Sequence, residues 1–125
     1  MALARLPSSA GGGRGELAEL GVPVVRLDGA CSVVFLAGEA DVSTRPALCE
    51  VLCRVIALRC GDVVIDLSRS TFIDSAIVRA LAAAHELLDG EGRRLTFRSP
   101  SMPAVRVLDV FGLTGLIETP QQATP

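Results

Sequence analysis

The run at residues 62–67, Asp-Val-Val-Ile-Asp-Leu, constrains this chain more than any other segment. It is short, nearly continuous in β-branched residues, and bounded on both sides by segments of helical period. That combination marks a strand buried on both faces of a parallel sheet. The segment before it carries Leu48, Val51, Leu52, Val55 and Ile56 at helical spacing. Ser43 or Thr44 can cap that helix, Pro46 is tolerated in its first turn, and Gly61 ends it. The segment after it begins at Asp74 or Ser75, carries Ile77, Leu81, Ala84 and Leu88, and stops at Gly90. Leu95, Thr96 and Phe97 then form a short strand. A third helix is predicted from Ser101 or Met102 to Phe111, with Pro103 in its first turn, Val105 and Leu108 inward, and Gly112 as a left-handed stop.

Two further strands precede these elements. Val24, Val25 and Leu27 lead into Asp28-Gly29, a favoured two-residue turn, and a β-rich run follows from Cys31 to Leu36. Pro23 cannot donate a ladder hydrogen bond, so the first strand belongs at a sheet edge. The order is β-β-α-β-α-β-α, and strands joined by helices run parallel. The fold class is therefore α/β: a mixed, mostly parallel sheet of four or five strands, with an antiparallel edge hairpin and helices packed on it. Residues 1–20, Gly/Ser-rich over positions 8–15, read as a flexible N-terminal tail, residues 21–120 as one domain and residues 121–125 as a C-terminal tail. Ligands of such sheets meet the loops after the strands' carboxyl ends. Two such loops, residues 38–44 and 68–75, are expected side by side.

Composition narrows the function classes. Of 125 residues, 50% are hydrophobic but only 3% aromatic, so the core is aliphatic. Twelve basic against fourteen acidic residues leave a charge of -2, which gives no electrostatic reason to expect direct nucleic-acid binding. No apolar run approaches the ~20 residues of a membrane span, and no secretory signal is visible, so a cytoplasmic location is expected. Four cysteines (Cys31, Cys49, Cys53, Cys60) do not make a disulfide scaffold and read as thiols. Cys49, Cys53 and Cys60 form a stripe on the first helix without tetrahedral ligand spacing, so packing is the expected role and no metal is implied.

Asp74 and Ser75 stand where the central strand hands over to the second helix. Phe72 and Ile73 are expected to tuck into the core, leaving Ser75 an exposed hydroxyl at a rigid corner, while Asp74 or Ser75 caps the helix. Asp41 lies in the neighbouring loop, where an aspartate before a helix also serves as an ordinary turn or capping residue. His85 falls ten residues beyond Ser75, roughly 15 Å along a helix, and no nucleophile elbow surrounds the serine. A hydrolase triad is therefore not expected, and His85 reads as a solvated helix-face residue. Gly11-Gly12-Gly13-Arg14-Gly15 lacks the Lys-Ser/Thr of a phosphate loop. Arg93 and Arg94 read as a solvated turn.

Three segments in order carry a family resemblance: Leu36-Ala37-Gly38-Glu39-Ala40-Asp41; Val64-Ile65-Asp66-Leu67 followed by Phe72-Ile73-Asp74-Ser75; and Val107-Leu108-Asp109-Val110-Phe111-Gly112-Leu113. From about Val22 to Ile117 the chain resembles a STAS domain of the bacterial anti-sigma factor antagonist type. The resemblance implies a protein without catalytic activity or cofactor of its own. It captures an anti-sigma factor that is also an ATP-dependent serine kinase of the histidine-kinase-like ATPase type, and so frees a sigma factor. By position, Ser75 is then the phosphorylated serine, and Asp41, Ser43, Thr44, Asp74, Ser75, Ala76 and Ile77 form the partner-binding face. Ala76, Ile77 and Val78 stand where the family has Ser or Thr, Gly and Leu, so Ile77 is expected to add bulk at the contacting turn. The alternative within the same resemblance is a STAS subunit of a transport complex or stressosome-like scaffold that docks without a phosphate switch.

Overall fold

A computed structural model describes residues 23–118; the proposed tails at 1–20 and 121–125 lie outside the described residues. Four strands, β1 (Val24–Asp28), β2 (Cys31–Ala40), β3 (Val63–Ile73) and β4 (Leu95–Arg98), form one sheet in the order β1-β2-β3-β4. β1 pairs antiparallel with β2, and β2/β3 and β3/β4 pair parallel. Three helices link or follow the strands: α1 (Arg45–Leu58), α2 (Ser75–Asp89) and α3 (Met102–Val110). The expected order and the expected edge position of β1 both hold.

Alternation along the strands sends Val25, Val34, Ile65 and Phe97 to one face. There they join Leu48, Leu52 and Val55 of α1, Ile77, Leu81 and Leu88 of α2, and Ala104 and Leu108 of α3 in one aliphatic cluster. Burying such side chains stabilises each by roughly 1.5–3 kcal/mol. On the opposite face the Arg26 guanidinium lies 5.2 Å from the Phe35 ring centre, and Arg98 pairs with Glu118 at 2.9 Å. The latter contact raises the Arg98 pKa above its ordinary value.

The structure corrects several expectations. Asp28 pairs with Cys31, so the two-residue turn is Gly29-Ala30, with Gly29 at φ +64°. Residues 68–73 are not loop: β3 runs on to Ile73 and β2 to Ala40, paired almost to their ends. In α3 the residue that turns inward beside Leu108 is Ala104, four residues before it, while Val105 is only half-buried. His85 is half-buried rather than solvated, and its Nδ1 is sealed from solvent. Arg93 is the largest departure, being only 9% exposed. Its guanidinium donates to the carbonyls of Gly61 (3.0 Å) and Ile56 (2.9 Å) and pairs with Glu91 at 2.8 Å. The arginine thus ties the end of α1 to the start of β4, while its neighbour Arg94 is exposed as expected.

Gly61 lies beyond the helix end, where a Cβ would sit 1.9 Å from the Ala30 carbonyl oxygen. Its smallness serves this close passage between the hairpin and the start of β3. All four cysteines are free thiols. Cys53 and Cys60 are exposed, and Cys60 stands outside α1 rather than on its stripe. Cys31 is half-buried, and burial together with the nearby Asp62 and Asp28 carboxylates pushes its thiol pKa up.

Candidate functional site

Two bulges in β3 build the site. Opposite β2 the register advances by an extra residue between Phe35 and Ala37, and again between Gly38 and Glu39. At the first bulge the Asp66 carboxylate accepts from the Ser68 amide (2.9 Å) and hydroxyl (2.6 Å). At the second, the Ser70 hydroxyl donates to the carbonyls of Gly38 and Phe72, both at 3.3 Å, and Gly38 adopts φ +67°, a glycine conformation. The second bulge resets the inside-outside alternation. Thr71 and Phe72 both face outward, Phe72 with 44% of its surface exposed, while Ile73 is fully buried. Only half of the expectation for this pair therefore holds.

From the buried Ile73 the chain turns directly into α2. Asp74 is the N-cap, in extended conformation, and its carboxylate accepts from the Ala76 amide at 2.5 Å. Its carbonyl accepts from the amides of Ile77 and Val78, both at 3.1 Å. Ser75, the first helical residue, is exposed, and its hydroxyl has no hydrogen-bond partner among the described residues. Ala76 is half-buried, but Ile77 is fully buried. Helical spacing from Leu81 turns Ile77 into the core, so its side chain adds no bulk to the outer surface and is withdrawn from any partner.

Asp41 closes the neighbouring strand end. Its carboxylate accepts from the Ser43 hydroxyl (2.6 Å) and amide (2.9 Å), and these bonds, the hydroxyl foremost, hold its pKa below the ordinary aspartate value. The Thr44 hydroxyl accepts from the Asp41 amide at 2.7 Å and donates to the Asp41 carbonyl at 2.8 Å. Thr44 occupies the N-cap position of α1 without a side-chain cap bond. Ser43 and Thr44 thus fold the Asp41 turn rather than cap the helix. The two expected segments do lie side by side, joined through the Asp74 amide and the Ala40 carbonyl at 3.0 Å.

Beside Ser75 an open groove of about 480 Å³ is lined by Phe72, Asp74 and Ser75 on one side and by Arg106, Val110 and Phe111 on the other. The last three were not among the sequence candidates. Val110, 81% exposed and off the buried Ala104–Leu108 stripe, is the one whose position the helical period could have flagged. Among the described residues there is no group of three or more His, Cys, Asp or Glu suited to a metal ion. No described helix is long and apolar enough to cross a membrane.

The family model described as "Mlab, STAS domain" matches residues 24–118, and the chain belongs to the STAS-domain family. A solved anti-sigma factor antagonist from Mycobacterium paratuberculosis is 30% identical, superposes with a TM-score of 0.69, and is matched over 81% of this chain and 88% of that one. This likeness makes the membership more particular: the chain is a STAS domain of the anti-sigma factor antagonist type. The anti-sigma factor antagonist SpoIIAA in its unphosphorylated form shares the fold at 19% identity and a TM-score of 0.72, over 81% of this chain and 91% of that one. The murine anion transporter Slc26a9 contains the same fold at 10% identity and a TM-score of 0.57, over 68% of this chain and 14% of that one. No curated protein matches the sequence.

Proposed function

We propose that this protein is an anti-sigma factor antagonist whose unmodified form binds an anti-sigma factor and releases a sigma factor, and that phosphorylation of Ser75 ends the binding. The observation that carries the reading is the exposed Ser75 hydroxyl, without a hydrogen-bond partner among the described residues, on a rigid corner. That corner is held by the Asp74 cap and by the ladder bond to Ala40. A kinase needs such a hydroxyl accessible, and a switch needs it on a surface that does not rearrange. The 30% identity to a solved antagonist supports the same role.

The mechanism is electrostatic. Phosphate adds about -1.5 to -2 charge beside Asp74, in the centre of a face that also holds Asp41, Ser43, Thr44 and Ala76. A partner shaped for the neutral hydroxyl meets repulsion and an added desolvation cost. Because the Ser75 hydroxyl is exposed and makes no hydrogen bond among the described residues, the fold is spared. Ile77, sealed in the core, does not block access to the serine. The partner, a serine kinase of the histidine-kinase-like ATPase type, supplies ATP and magnesium, and this chain supplies only the acceptor oxygen. Incubation with candidate anti-sigma kinases and ATP, followed by mass spectrometry, tests the reading. Phosphate on Ser75 is the expected result. Stable association with a transporter ATPase and no label would replace the reading with a scaffold role.

A further inference from the structure

The arginines among the described residues divide into those with a carboxylate partner and those without one. Arg54, Arg93 and Arg98 have carboxylate partners in the structure. Arg106 is exposed, has no ion pair among the described residues, and lines the same groove as Asp74 and Ser75. It comes from α3, a different element from the serine, so the groove brings together residues 31 positions apart in sequence. A planar guanidinium on a long stem is the side chain best matched to a phosphate, which it can engage through two parallel N–H donors. Among the described residues of the unmodified protein, no group engages Arg106 in this way.

We propose that Arg106 receives the phosphate on Ser75, closing across the groove over Phe72 and Val110. The inference rests on the phosphorylation reading above and adds its regulation. The phosphoryl form is not merely charged but ordered: the phosphate is drawn toward α3, and the groove that is open in the unmodified protein is bridged. The apolar walls of the groove are then closed to a partner at the same time as charge is added. The charged groups on the elements that meet at Ser75 act in both directions. Asp74 at the N-cap of α2, Asp41 and Glu39 around the end of β2, and Asp109 on α3 disfavour the phosphate dianion, while Arg79 on α2 and Arg106 on α3 favour it; of these, Asp74 and Arg106 line the groove itself.

The test installs phosphoserine at position 75 of the full chain by genetic encoding, so that it does not depend on finding a kinase. Titration of the phosphate by phosphorus NMR is expected to give a midpoint below that of a short peptide spanning the same residues. Arg106→Gln should raise that midpoint by at least about half a unit, and Arg79→Gln by less. In the phosphorylated parent protein the Arg106 side-chain Nε–H resonance should shift on phosphorylation, a readout that needs no substitution. An Arg106→Gln midpoint equal to the parent's, with an unmoved Arg106 resonance, would overturn the proposal. A clamp without kinase labelling would instead sink the phosphorylation reading and leave the geometry standing.

Discussion

The main-chain amide of Asp74 donates to the carbonyl of Ala40 at 3.0 Å, tying the residue that follows β3 to the last paired residue of β2. The bond makes the residue that opens α2 and the residue that precedes the Asp41 turn neighbours in a single ladder. The relative placement of Asp41 and Ser75 is therefore set by sheet register and not by two independent loops. A face built this way does not need to be organised when a partner arrives.

Ser75→Asp should leave stability within about 0.5 kcal/mol of the parent, because the side chain is exposed and makes no hydrogen bond among the described residues. Binding to the cognate anti-sigma factor should weaken at least about tenfold, the equivalent of 1.4 kcal/mol. Thermal melts and titration calorimetry read the two quantities separately. Undiminished binding by this variant would remove the electrostatic switch.

Restoring the family glycine at Ile77 should damage the domain. Ile77 is fully buried in the core cluster. Ile77→Gly opens a cavity costing about 2–5 kcal/mol and places glycine in a helix at about 1 kcal/mol more. A urea midpoint shifted by less than half the corresponding amount would show that the core repacks around the gap.

Arg93→Met keeps an apolar stem but leaves the carbonyls of Gly61 and Ile56 without their charged donor. The expected loss is about 2–3 kcal/mol, of which little comes from the exposed Glu91. Arg94→Met, one residue on and exposed, should fall within about 0.5 kcal/mol of the parent. Equal urea midpoints for the two variants would contradict the assigned role of Arg93.

The Asp41 carboxyl carries a pH dependence of known sign. Its pKa is depressed in the folded protein by the Ser43 hydroxyl and amide. The stabilisation of the turn is thus present above the ordinary aspartate pKa and is lost as pH falls through the depressed value. Ser43→Ala should move the Asp41 midpoint, followed by carboxyl carbon NMR, up toward the ordinary value. A midpoint that stays put would assign the depression to another cause.

Much of this molecule was legible from local pattern. The helical spacing of Leu48–Val55 and of Ile77–Leu88, the β-branched run at 62–67 and the proline ahead of β1 record backbone preferences and one-sided burial, which act between residues close in sequence. They suffice for the element order, the parallel sheet and the helix that starts at Ser75. Position in three characteristic segments likewise marked Asp41, Asp74 and Ser75. What depended on distant partners was not legible in this way. The two bulges, the second of which leaves Thr71 and Phe72 both facing outward, arise from a mismatch between β2 and β3, which no single strand records. Arg93 is internal because the end of α1 leaves two carbonyls within its reach. Arg106 reaches the serine's groove only because α3 packs back against the strand that precedes α2. Periodicity reports which way a side chain faces along its own element. Which groups it then meets is decided by how those elements pack.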